Sequence, residues 1–140
     1  MVAHDARRLA GIAAACGDKN NSSTPTGPST PPTVLTETFS GTLNKNAAYT
    51  HPFVVSDAGD VSVFLTQSVD AAHPDANVTL GDSLGTWNGV SCAIVIANDN
   101  VSPGSSITGR ATAAGNLCVR VYDVGFVPGS ANYELLIDHY

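Results

Sequence analysis

Short runs of alternating apolar and polar residues recur from Val34 to the end of the chain, and none has the helical period. Glycine, proline, asparagine and aspartate separate the runs, as expected of turns. The pattern predicts an all-β fold, an antiparallel jelly-roll-like β-sandwich of about eight strands, because a parallel sheet would need crossover helices. The predicted strands are Val34–Phe39, Ala48–Val55, Val61–Gln67, Val78–Leu80, Ser91–Ala97, Ser106–Ala111, Leu117–Tyr122 and Tyr133–Asp138.

The alternation also predicts which side chains face the core. The inward set is Val61, Val63, Leu65, Leu117, Val119, Val121, Tyr133, Leu135 and Ile137. The segment Ser91–Ala97 is apolar at nearly every position, which is typical of a central strand covered on both faces. Turns are predicted at Gly81-Asp82-Ser83 and at Asn98-Asp99-Asn100, because these residue types favour turns.

The first 33 residues have a different composition. Arg7 and Arg8 precede the short apolar run Leu9–Ala15, which ends at Cys16 and is followed by a stretch rich in Asn, Ser, Thr, Pro and Gly. This order predicts an export signal over residues 1–15 and a flexible linker over residues 16–33, with the β-sandwich domain over residues 34–140. The alternative is a disordered, alanine-rich leader in which the cysteine is incidental.

The small residues directly before Cys16 resemble the lipobox of bacterial lipoproteins. The resemblance implies that the signal is cleaved before Cys16 and that this cysteine receives lipid. The protein would then be exported and held by a lipid anchor at the bacterial cell envelope or outer surface.

Charge narrows the classes of partner. Six basic residues stand against twelve acidic ones, so the formal net charge is −6. Because no basic patch is present to neutralise phosphates, we expect no binding to nucleic acid and no charge-driven binding to anionic lipid. No apolar stretch approaches the roughly 18 residues of a membrane span, so membrane contact is expected only through the lipid anchor.

Cys92 and Cys118 each lie in a predicted strand. In an exported domain, two such cysteines predict one disulfide. The alternative is a pair of reduced core cysteines. A zinc site is not expected, because no CxxC pair or histidine cluster accompanies them.

One segment carries a catalytic motif. Gly81–Gly85 fits the G-x-S-x-G nucleophile elbow and spells the tetrad of the GDSL lipase/esterase family. With Asp70-x-x-His73 upstream, it would make Ser83 a nucleophile and His73 its base. However, no helical pattern follows Ser83, and the two motifs occur in the reverse of that family's order. We therefore predict that the protein is not an enzyme, with a small serine esterase as the least favoured alternative.

Two further sets of residues are candidates for binding. Calcium is the candidate cofactor, because it prefers oxygen ligands of the kind found in two clusters, Asp57 with Asp60 and Asn98-Asp99-Asn100. The alternative is that these residues serve turns without a metal. Trp87 is a candidate for stacking on a sugar ring, against the alternative of ordinary packing. The scattered histidines His51, His73 and His139 are expected at the surface.

The segment Gly115–Tyr140 resembles the bacterial pre-peptidase C-terminal domain group. It has a glycine turn, an apolar strand over Leu117–Val121 and a closing Tyr-x-Leu-x-Ile strand over Tyr133–Ile137; Thr38–Leu43 resembles the group's opening strand. The resemblance implies a jelly-roll-like sandwich. Domains of this group are appended to secreted enzymes, and some of these domains bind collagen or calcium.

These observations favour a non-enzymatic, exported surface lipoprotein module that binds a polymer, such as a polysaccharide, or a protein partner. The alternative is a structural subunit of a fibre or assembly. In that case an exposed strand such as Val34–Phe39 would pair with a neighbouring sheet edge and form a homo-polymer.

Overall fold

The computed structural model describes residues 30–140, and Pro32–Tyr140 form one compact unit. The strands are β1 (Leu35–Asn44), β2 (Ala48–Val55), β3 (Gly59–Asp70), β4 (Leu80–Trp87), β5 (Cys92–Val101), β6 (Ser106–Ala111), β7 (Gly115–Tyr122) and β8 (Ser130–His139). Within the described residues there is no helix, and hence none long and apolar enough to cross a membrane.

The eight strands form two antiparallel sheets. Sheet A has the order β1-β8-β3-β6, and sheet B has the order β2-β7-β4-β5. Consecutive strands lie in different sheets except for β4 and β5, which are neighbours in sheet B. This is the strand order of a jelly roll, so the predicted fold class is confirmed.

The core lies between the sheets and contains the predicted inward-facing residues. Val61, Val63, Val119, Tyr133 and the other members of the set are fully buried, except that Leu117 packs only partly buried against the core. Burial of one such side chain contributes roughly 1.5–3 kcal/mol. The two-residue periodicity therefore placed the core correctly.

The structure corrects the prediction for the fourth strand. β4 covers Leu80–Trp87, so Gly81-Asp82-Ser83 is extended backbone in the middle of the sheet and not a turn. Gly81 and Gly85 allow close packing here, because a side chain at either position would overlap a neighbour. The neighbour is the Tyr122 ring at Gly81 and the Ala93 backbone at Gly85.

The structure also corrects the prediction for the fifth strand. β5 is the outermost strand of sheet B and not a central one, and it continues through Asn98-Asp99-Asn100, where a turn was predicted. Ile96 reaches inward to Gly109 of β6, whereas Ile94 and Val95 are 44% and 71% exposed. The apolar composition therefore reflects an uncovered edge.

The predicted disulfide between Cys92 and Cys118 is confirmed, with 5.8 Å between the two Cα atoms. It joins β5 to β7, although β4 lies between these strands in sheet B. The start of β5 therefore crosses over β4 at Gly85. This crossing explains why Cys118 is fully buried although it points away from the core.

Candidate functional site

The outer face of sheet A carries an array of hydroxyl groups. Along β1, every second residue from Leu35 to Leu43 faces inward, and the residues between them, three threonines and a serine, face outward. Strands β3, β6 and β8 add further polar residues in register with them. We call this surface the hydroxyl face. It consists of Thr36, Thr38, Ser40, Thr42, Ser62, Phe64, Thr66, Ser106, Thr108, Glu134, Leu136 and Asp138.

Two apolar side chains lie at the centre of the hydroxyl face. Phe64 and Leu136 are directly paired between β3 and β8, and both are half-buried. They form the floor of an open cavity of about 580 Å³, whose remaining lining residues are Thr36, Leu65, Thr66, Gly104 and Asp138. The cavity thus combines an apolar floor with polar walls.

The β5–β6 turn forms one wall of this cavity. The backbone amide of Gly104 donates to the Leu65 carbonyl at 2.8 Å, and the Leu65 amide donates to the Ser105 carbonyl at 3.0 Å. The two bonds hold the turn against β3 at the point where the β3–β8 register shifts after Leu65. The wall is therefore fixed by backbone bonding and does not depend on flexible side chains.

Two carboxylates flank the apolar floor. The Thr36 hydroxyl donates to Asp138 Oδ1 at 2.6 Å, and the Thr66 hydroxyl donates to Glu134 Oε1 at 2.8 Å. Each bond holds one carboxylate oxygen, so Asp138 Oδ2 and Glu134 Oε2 are available to accept from a ligand. Fixed acceptors beside an apolar floor match a molecule that has hydroxyl groups around a hydrocarbon face.

Trp87, the predicted stacking residue, does not contribute to the hydroxyl face. It ends β4 in sheet B, is half-buried, and is paired in register with Cys92 of the disulfide. Sequence reasoning singled out the tryptophan and missed Phe64. The sequence signal for the hydroxyl face was the Thr-x-Thr-x-Ser-x-Thr pattern of Thr36–Thr42, in which hydroxyl residues alternate as regularly as apolar residues do in a buried strand.

The structure does not bring the two calcium candidates together. Asp57 precedes β3 and Asp60 is its second residue, whereas Asn98–Asn100 lie near the end of β5, at the opposite end of the sandwich. Asp60 Oδ1 accepts from Arg110 at 2.8 Å, and Asp99 accepts from the Tyr122 hydroxyl. Across residues 30–140, no group of three or more His, Cys, Asp or Glu side chains could hold a metal ion.

The residues of the esterase motif are also separated. Ser83 is buried in β4, and its hydroxyl donates to the Arg120 carbonyl at 3.1 Å. His73 is exposed and donates from Nδ1 to Asp70 Oδ2 at 2.9 Å. This bond, with the Ala72 amide, lowers the pKa of Asp70. The geometry gives Ser83 neither a base nor access to a substrate.

Asp82, next to Ser83, is an unusual core residue. It faces inward, since it pairs with Val121 of β7, and it is buried with both carboxylate oxygens lacking a hydrogen-bond partner. Burial raises its pKa to about 7, and the nearby Ser83 amide, which does not meet hydrogen-bond geometry, opposes the shift only weakly.

Two histidines point toward the core side of the sheets: the prediction of a surface position was wrong for His139, whereas His51 is partly buried. His139 is fully buried and donates from Nε2 to Glu37 Oε2 at 2.6 Å. His51 stacks between Phe39 and Tyr49, with ring centroids 4.9 and 5.5 Å away. Partial burial lowers the pKa of His51.

These histidines fill the gap where β1 of sheet A approaches β2 of sheet B. His51 Nε2 is hydrogen-bonded to the Tyr133 hydroxyl at 2.7 Å, and burial raises the pKa of Tyr133 to about 12. The Tyr133 hydroxyl lies against Gly41, and a Cβ atom at this position would be only 2.9 Å from the hydroxyl oxygen. The cluster therefore packs side chains between β1 and β2 and closes this side of the sandwich.

Cys16, the predicted lipidation site, lies outside the described residues. The cleavage and acylation of this residue stay predictions.

Comparisons with known proteins bear on the fold. No family model matches the chain, and no curated protein matches it. Among solved structures, a mitogen derived from Yersinia pseudotuberculosis is similar, with a TM-score of 0.55 and 12% identity over 76% of this chain and 86% of that chain. A periplasmic inhibitor of g-type lysozyme from Aeromonas hydrophila has a TM-score of 0.50 and 11% identity over 73% of this chain and 83% of that chain. At these identities the likeness concerns the fold alone: the chain shares a β-sandwich architecture with both proteins.

Proposed function

We propose that this protein is an exported, non-enzymatic module that binds an uncharged polysaccharide on the hydroxyl face. The observation that carries the proposal is the open cavity on sheet A. There Phe64 and Leu136 form an apolar floor beside the Asp138 carboxylate, and Glu134, bonded to the lining residue Thr66, presents a second fixed acceptor next to the cavity.

The disulfide supports export. The Cys92–Cys118 bond is fully formed in the fold, and such bonds persist in oxidising compartments outside the cytoplasm. The predicted signal and lipid anchor at Cys16 agree with this location and would place the module at the bacterial cell envelope. Structural likeness to a periplasmic protein is compatible with it.

The chemistry of the hydroxyl face favours a sugar polymer. The C–H face of a sugar ring packs against aromatic and aliphatic side chains, while its hydroxyl groups donate to carboxylates and exchange hydrogen bonds with threonines. The face is a long, open surface of one sheet, so it suits a chain of sugar units better than a small enclosed ligand. The negative charge of the protein argues against an acidic polymer.

A pull-down with insoluble chitin, cellulose and starch tests the proposal. We expect the full chain to be retained by at least one of them and Phe64→Ala to lose about tenfold or more in affinity, since the ring supplies the stacking surface. Phe126→Ala is the matched control, because Phe126 is 65% exposed in the β7–β8 loop and lies off the hydroxyl face.

Circular dichroism of each variant checks that the fold is intact. Retention on none of the three polymers would contradict the polysaccharide. Equal losses from Phe64→Ala and Phe126→Ala would contradict the site.

A structural subunit is the second candidate, because the structure places β1 at the edge of sheet A. The segment Val34–Phe39, which was predicted to pair with a neighbouring sheet, thus overlaps an edge strand. Analytical ultracentrifugation separates the two functions: a subunit that polymerises through β1 forms a concentration-dependent series of oligomers, whereas a binding module does not.

A further inference from the structure

β5, one of the two edge strands of sheet B, contains a short palindrome. Residues 93–97 read Ala-Ile-Val-Ile-Ala, with Val95 at the centre. In an antiparallel pair of identical strands, a two-fold axis at Val95 places each residue opposite its own kind: Val against Val, Ile against Ile and Ala against Ala.

This segment lies at a free sheet edge. β5 pairs with β4 on one side and is the last strand of sheet B on the other. Ala93, Ile94, Val95 and Ala97 are exposed. The β4–β5 register also shifts here: Gly85 pairs with Ile94 and Leu84 with Ile96, so Val95 has no partner on β4. An exposed, uncovered edge of this composition is the type that pairs with another strand.

The features that usually block edge pairing are sparse along this segment. It contains no charged residue, no proline and no glycine, in a protein of net charge −6. In the two-fold register the nearest acidic residue, Asp99, lies opposite Ser91 of the second copy, so the two carboxylates do not meet. The disulfide holds Cys92, directly before the palindrome, and presents the strand in a fixed position.

We propose that the protein forms a two-fold symmetric dimer through antiparallel pairing of β5 with β5 of a second copy, centred on Val95. The pairing joins the two B sheets into one eight-stranded sheet. Each cross-strand pair of apolar residues contributes only a small stabilisation, and the bulge at Val95 limits the regular contact to a short segment. We therefore expect a weak, reversible dimer.

Sedimentation equilibrium of the full chain tests the dimer. We expect a monomer–dimer equilibrium for the natural protein and for Val54→Lys, and at least about tenfold weaker association for Val95→Lys, which places two like charges on the axis. Val54 is the matched control because it is a valine of the opposite edge strand of sheet B and is 61% exposed. A monomer at all concentrations, or equal association of the two variants, would overturn the proposal.

Cysteine cross-linking tests the register in a Cys16→Ser background. Opposed residues in antiparallel strands lie about 4.5–5.5 Å apart between Cα atoms, a distance that a disulfide can span. Val95→Cys should cross-link to itself under mild oxidation. Ala93→Cys should not, but should cross-link to Ala97→Cys when the two variants are mixed. Efficient self-linking of Ala93→Cys, with none of Val95→Cys, would overturn the register.

Discussion

The two sheets have the same number of strands but are built differently. Sheet A pairs β1 with β8 over ten residues without interruption, and its outward side chains bond to one another across the strands. In sheet B the β4–β5 register shifts twice, a disulfide crosses over β4, and the edge strand β5 carries Asp99 as its one charged residue. Sheet A, with one register shift between β3 and β8, therefore presents the more regular surface, whereas sheet B depends on a few individual contacts.

The difference shows where the stability of the sandwich is most sensitive to single changes. In sheet A many similar hydrogen bonds stabilise the strands, and each exposed one contributes little to the free energy of unfolding. In sheet B, by contrast, single residues decide the packing: the buried carboxyl of Asp82, the covalent Cys92–Cys118 link and the missing side chain of Gly85. Changes in sheet B should therefore have larger effects.

The largest effect concerns Asp82 and pH. Its pKa is about 7 in the folded protein and 3.8 as the ordinary value, so the folded state holds the proton more tightly. Its contribution is fully present below about pH 4 and is lost as pH rises to 7, a decrease of about 4 kcal/mol in the free energy of unfolding. Denaturant titrations from pH 4.5 to 8.5 measure this slope.

Asp82→Asn should remove that part of the slope and be the more stable protein at pH 8, because an amide cannot ionise. Asp60→Asn is the control in sheet A, since Asp60 is exposed and its replacement leaves Asp82 in place, so the decrease that Asp82 causes should remain. A parallel curve for Asp82→Asn would show that Asp82 is not the titrating group. Asp70 and Asp123, whose pKa values are lowered, act in the opposite direction and only at lower pH.

Reduction of the disulfide should have the next largest effect. The two cysteines are 26 residues apart, and closure of a loop of this length contributes roughly 3.5 kcal/mol in the chain-entropy model. Because this loss is global, denaturant titration of the reduced protein measures it. Hydrogen exchange in β1 and β8 should increase by no more than this loss accounts for, whereas exchange at the start of β5, which the bond holds over β4, should increase further. Uniform acceleration across both sheets would contradict the local role of this bond.

The smallest of the three effects compares two glycines. Gly85→Ala should lower the free energy of unfolding by about 3 kcal/mol, because its methyl group would overlap the backbone of Ala93. Gly41→Ala in sheet A should cost about 1 kcal/mol, because its methyl group would approach the Tyr133 hydroxyl to 2.9 Å, a milder contact than the overlap with backbone at Gly85. Thermal unfolding measures both, with Gly115→Ala as the control since no atom lies within 4 Å of the added carbon. Equal losses at Gly85 and Gly41 would contradict the comparison.

The same contrast explains what the sequence could predict. Strands such as β3 and β8 alternate between a buried and an exposed face, and their inward residues followed directly from the two-residue period. β4 was misplaced because glycine and aspartate favour turns in isolation, whereas here the glycines make room for Tyr122 and for the backbone of β5. That room is visible only after the strands are assembled.

The candidate site was harder to predict than the fold. The disulfide followed from two cysteines in strands, but Phe64 joins the hydroxyl face only because β3 lies beside β8, at the other end of the chain. Trp87 had the right chemistry for stacking but lies beside the disulfide. A local pattern assigns a residue to a face; which residues share that face depends on the strand order.

The free edge of β5 has one more consequence. Strands that pair antiparallel about a two-fold axis place facing side chains on the same side of the joined sheet, so both A sheets of the proposed dimer would lie on one side of it. Two identical binding surfaces would then be offered to a single repetitive polymer. Because the second contact forms at a high effective concentration, such a dimer would gain avidity from two individually weak sites.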